Sequence, residues 1–112
     1  MREIAVAGEG VRRWRDALKL SEMSVRRLGA DLVVEVVSPD KPERDLVDKR
    51  DEYAEAQIPE YWIVNPQNET ITVLRLEGSG YVEHGVFGRS AIATSVVLEG
   101  FSIVVDAVFD AE

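Results

Sequence analysis

The chain has no cysteine. That excludes disulfides and thiolate metal sites, and it is compatible with a reducing cytoplasm, the expected location. Histidine occurs once, as His84, so no histidine cluster exists to hold zinc. None of the four prolines falls within residues 1–30. No apolar run approaches the roughly 18 residues that cross a bilayer, and the N-terminal stretch lacks a secretory apolar core, so no membrane partner is expected. Basic charge is scarce: 13 Lys and Arg against 21 Asp and Glu leave a net charge of −8. Binding nucleic acid by bulk electrostatics relies on clustered Lys and Arg, and this balance argues against it. The short "GEG" at 8–10 and "GSG" at 78–80 lack the context of a phosphate-binding loop. They read as turns, and no small-molecule cofactor is expected.

What is present fits a single domain over residues 1–112, with a variable helical segment at 1–29 and a core at 30–112. Apolar residues make up 46% and charged residues 30%, an ordinary globular mix. The charge is uneven. Residues 1–30 hold seven basic and four acidic side chains, whereas residues 31–60 hold four and ten. That acidic middle is suited to attract a hard cation such as Mg²⁺. Val11, Trp14 and Leu18 at helical spacing predict an amphipathic helix over 10–23. Residues 31–37 read as a strand covered on both faces. A helix follows from Pro42 to about Ala56, and Pro59 ends it. "EYWIVN" (60–65) and "TITVLRL" (70–76) form a hairpin, followed by strands at "YVEHGVF", "SVVL" and "FSIVV" and a short helix near Ala107–Phe109. The fold class is therefore α/β (α+β), a mixed central sheet flanked by helices.

Two charges stand where hydrophobes belong. Glu35 lies inside "VVEVV", and Lys49 lies three residues after Leu46 and four before Tyr53, on their face of the helix. A buried carboxylate protonates, finds a partner or binds a metal. A Glu35–Lys49 ion pair, or a lysine snorkelling to the surface, explains the two positions without any function. Asp31 shares the strand face of Glu35, but four residues of strand separate their Cα atoms by roughly 13 Å. It reads as a strand-end residue or an outer partner of any bound ion.

The run "ADLVVEVVSP", then Asp45, Lys49 and Tyr53 at four-residue steps, then "IPEYWIVNP", resembles the Uma-type endonucleases, long catalogued as a domain of unknown function. These belong to the PD-(D/E)XK restriction-endonuclease-like superfamily, and the resemblance covers about residues 29–110. It implies a restriction-endonuclease-like sheet and Mg²⁺-dependent (or Mn²⁺-dependent) hydrolysis of DNA. By the same resemblance Glu35 matches the second metal acid, the Val36 carbonyl would be a further metal ligand, and Asp31 is the remaining acid nearby. Val37 occupies the usual lysine slot, so the resemblance implies that Lys49 on the following helix takes over beside the attacking water. Family members carry a separate upstream strand with the first metal acid, and residues 1–30 read as lacking it. The chain is thus expected to be N-terminally shortened and, with a core edge uncovered, to form a homodimer. The alternative is a catalytically inactive homologue serving as a dimerising or DNA-associated module. Tyr53, Tyr61 and Trp62 read as packing residues, and His84 as a surface residue. Arg12, Arg13, Arg15, Arg26 and Arg27 read as either phosphate contacts or a solvated helix face.

Overall fold

A computed structural model describes residues 4–8, 31–37, 43–98 and 100–110. Five strands form a sheet in the order β1 (Ile4–Gly8), β2 (Leu32–Val36), β3 (Glu60–Asn65), β4 (Thr70–Glu77) and β5 (Gly80–Phe87). The first three run parallel and the last three form an antiparallel meander. Helix α1 (Glu43–Glu55) supplies the crossover from β2 to β3 that a parallel pair requires. A two-stranded sheet of β6 (Ile92–Thr94) and β7 (Ser102–Val104) leads into α2 (Val105–Phe109).

All five residues of β2 are buried, Glu35 among its four apolar neighbours, as expected of a strand covered on both sides. Leu32, Val34 and Val36 face one layer, with Trp62, Val64, Ile71 and Val73 of the sheet under Ala93, Leu98, Val105 and Val108. Val33 faces the other layer, with Tyr61, Leu74 and Tyr81 under Ala54 and Ile58, against which Tyr53 also packs. Each fully buried large apolar side chain contributes about 1.5–3 kcal/mol.

Helix α1 ends in a Schellman motif. Gln57 takes the left-handed conformation at φ 59°. The Gln57 N–H donates to the Ala54 carbonyl (3.0 Å) and the Ile58 N–H to the Tyr53 carbonyl (3.1 Å). Pro59 follows and starts the chain on its way into β3, so the proline marks the stop while the αL turn makes it.

Two expectations are corrected. Residues 4–8 do form an upstream strand: β1 pairs in parallel with β2, Ala7 opposite Glu35. The division at residue 29 therefore does not separate core from appendage, and the homodimer loses the uncovered β2 edge as its reason. "IAVAG" contains no acid, however, so this strand does not itself carry the missing first carboxylate. Residues 95–98, read as a strand, instead form an irregular connection after β6. The helix expected over 10–23 lies outside the described residues. Among the described residues no helix is long and apolar enough to cross a membrane.

Candidate functional site

Alternation along β2 turns Glu35 toward the face that α1 covers, in register with Ile63 of β3. The side chain is only 4% exposed. The Tyr53 hydroxyl, reaching down from α1, donates a hydrogen bond of 2.9 Å to Glu35 Oε2. Tyr53 also packs edge-on against Tyr61, with ring centroids 5.1 Å apart. Tyr61 in turn contacts Tyr81 at 5.7 Å, and the Tyr81 hydroxyl donates to the Ile58 carbonyl at 2.7 Å. Burial raises the Tyr53 hydroxyl above the ordinary tyrosine range, and the facing Glu35 carboxylate adds to it. Burial alone raises Tyr81. Both hydroxyls therefore remain protonated donors.

These shifts have a pH consequence. A tyrosine held above its unfolded value binds its proton more tightly when folded, so its stabilisation is complete below that value, near pH 10. As pH rises above 10 that stabilisation is lost. Thermal unfolding followed from pH 8 to 11.5 should show a midpoint that falls beyond pH 10. The fall should become shallower when Tyr53 and Tyr81 are both replaced by phenylalanine, and an unchanged slope would show that other groups govern it.

Lys49 stands one helical turn before Tyr53 on the same face. Its ammonium lies 3.5 Å from Glu52 Oε2, and the side chain is 36% exposed. It pairs with Glu52 at the solvent edge, as the snorkelling alternative has it, while Glu35 takes a hydrogen bond from Tyr53 a turn away. Asp31 is partly exposed at the bend before β2, and Val36 is buried in mid-sheet between β1 and β3.

Among the described residues no group of three or more His, Cys, Asp or Glu is poised to hold a metal. A dedicated protein cage is therefore not what these residues offer. Mg²⁺ is more often bound by one or two carboxylates, with water and substrate phosphate oxygens completing its shell. Glu35, an oriented hard-oxygen donor with the Val36 carbonyl next in the chain, fits a site of that kind.

A second buried carboxylate escaped the sequence reading. Glu60 is fully buried on the opposite face of the sheet, beside Trp62 and Val64. Its Oε1 accepts from the Val97 N–H (2.7 Å), the Val96 N–H (2.9 Å) and the Ser95 hydroxyl (3.1 Å), and its Oε2 accepts from Trp62 Nε1. Four donors satisfy a carboxylate's acceptor capacity. Glu60 is thus a clamp joining β3 to the segment after β6. The signal was available, because alternation puts Glu60 on the apolar face of Trp62 and Val64 just as it put Glu35 among valines. His84 is exposed at a register shift where β4 meets β5. The five arginines of the N-terminal segment lie outside the described residues.

The family model described as "Uma2: Putative restriction endonuclease" matches residues 6–106. A solved structure similar to this chain is that of a protein titled a "putative nuclease belonging to DUF820" from Anabaena variabilis ATCC 29413. The two superpose with a TM-score of 0.60 at 16% identity, over 74% of this chain and 45% of the other. The likeness is one of fold, and this chain spans less than half the length of that protein. No curated protein matches the chain.

Proposed function

The chain belongs to the Uma2 family, and from that premise we propose that it is a divalent-cation-dependent endonuclease hydrolysing DNA phosphodiester bonds. The observation that carries the proposal is a carboxylate, Glu35, held 4% exposed in the parallel part of the sheet and oriented by a hydroxyl from the next helix. Glu35 and the Val36 carbonyl would hold Mg²⁺ or Mn²⁺, with Asp31 too far along the strand to share one ion directly. The cation, when bound, neutralises charge building on the phosphate and makes water more acidic. Tyr53 keeps the Glu35 carboxyl oriented. Lys49, on the same helix face, partly exposed and paired with Glu52, would leave that pair to stand beside the attacking water.

A second reading is a catalytically inactive homologue acting as a DNA-associated or self-associating module. The Lys49–Glu52 pairing and the acid-free β1 favour it.

Plasmid nicking separates the two readings. Purified protein with Mg²⁺ or Mn²⁺ should convert supercoiled plasmid to open circle, and chelation with EDTA should stop it. Nicking unaffected by EDTA would remove the metal from the mechanism, and no nicking under any divalent ion would favour the inactive module.

A further inference from the structure

We propose that Tyr53 is a positioning residue for the metal-binding carboxylate, fixing Glu35 in the orientation that a small octahedral cation demands. The inference rests on the reading of Glu35 as a metal ligand and goes beyond it, because it assigns a task to a tyrosine that would otherwise be only packing.

Tyr53 is immobilised from both ends. Its backbone carbonyl accepts the Ile58 N–H in the turn that closes α1. Its ring stands edge-on to Tyr61, whose own ring is backed by Tyr81, and Tyr81 is anchored to the Ile58 carbonyl. The hydroxyl that emerges from this stack is therefore a fixed donor, and it meets Glu35 Oε2 at 2.9 Å. Restraining the three torsions of a glutamate side chain is worth up to about 1.5–2 kcal/mol of ordering, and this hydrogen bond contributes to it. Hydrogen bonds to ligating carboxylates from residues that do not touch the metal hold such ligands in place, and removing one costs roughly 10–100-fold in metal affinity.

Positioning differs from mere satisfaction of a buried carboxylate in what it does to selectivity. Mg²⁺ demands near-ideal octahedral geometry at about 2.0–2.1 Å, whereas Ca²⁺ accepts flexible geometry with six to eight oxygens. A wandering Glu35 should therefore lose Mg²⁺ more than Ca²⁺. A structural role alone would change both alike.

The test uses the full chain and Mn²⁺ as the probe, its free ion measured by electron paramagnetic resonance and displaced by Mg²⁺ or by Ca²⁺. Tyr53→Phe should weaken Mn²⁺ about 10–100-fold and lower the Mg²⁺/Ca²⁺ competition ratio, while Glu35→Gln should abolish binding. If Glu35→Gln abolishes binding and Tyr53→Phe binds as wild type, positioning is overturned and the metal reading stands. If Glu35→Gln binds as wild type, or wild type binds no Mn²⁺ at millimolar concentration, both are overturned. Should Tyr53→Phe fail to fold, wild-type protein with labelled tyrosines decides the matter. Mn²⁺ should broaden the Tyr53 ring signals before those of Tyr81, and equal or absent broadening overturns the proposal.

Discussion

Replacing Glu60 with alanine is expected to cost about 3–5 kcal/mol of folding stability, because one buried and three partly buried donors lose their acceptor together. The substitution strips the acceptor from Trp62 Nε1, the Ser95 hydroxyl and the N–H groups of Val96 and Val97. Each buried donor left unpaired costs about 1–3 kcal/mol. The three donors near Ser95 are only partly buried, so water recovers some of that loss and the total stays below the simple sum. A domain of this size is stable by about 5–15 kcal/mol, so the variant should sit close to unfolding at 37 °C. Urea unfolding followed by circular dichroism measures the change. Glu60→Gln should lose less, about 1–3 kcal/mol. It retains one carbonyl acceptor but sets an amide N–H₂ against the indole N–H of Trp62. A loss under about 1 kcal/mol for Glu60→Ala would show that the 95–98 segment finds other acceptors and that the clamp is incidental.

That clamp also explains which parts of the fold were readable in the sequence. The runs at 31–37, 60–65, 70–76 and 81–87 were legible because their alternation or continuous apolar character is a local property, and each became a strand within a residue or so. Helix α1 was legible from Pro42 and Pro59. "SVVL" looks like a strand by composition. Yet the N–H groups of Val96 and Val97, which a ladder would use, are taken by a carboxylate 36 and 37 residues away. Nothing local announces that competition. β1 was missed for the converse reason. "IAVAG" is short and ends in glycine, and it becomes a strand by lying along β2, a partner 28 residues on. At the candidate site the sequence pointed to Glu35 correctly as misplaced. It offered Lys49 as the counterpart because opposite charges suggest pairing. One partner that Glu35 has is Tyr53, which periodicity assigned to packing. A tyrosine does both, since its ring fills apolar space and its hydroxyl reaches beyond it.

Glu35→Gln is expected to behave in the opposite way to the Glu60 substitutions, with a large loss of activity and a small change in stability. Glutamine keeps the side-chain volume and an oxygen able to accept the Tyr53 hydroxyl, so the packing of α1 on β2 is preserved and unfolding should move by less than about 1 kcal/mol. What glutamine removes is the negative charge that holds a divalent cation. A metal acting as a Lewis acid supplies several kcal/mol of transition-state stabilisation, and about 4 kcal/mol corresponds to roughly 1000-fold in rate. Plasmid nicking by Glu35→Gln under Mg²⁺ should accordingly fall by about that factor. The paired measurement matters more than either alone. If Glu35 were a second structural carboxylate like Glu60, its neutral isostere would perturb unfolding and leave any cleavage intact. Two buried acids on opposite faces of one sheet would then differ in position but not in purpose. If unfolding is preserved and nicking is lost, the expense of burying a charge in β2 is explained by what that charge holds.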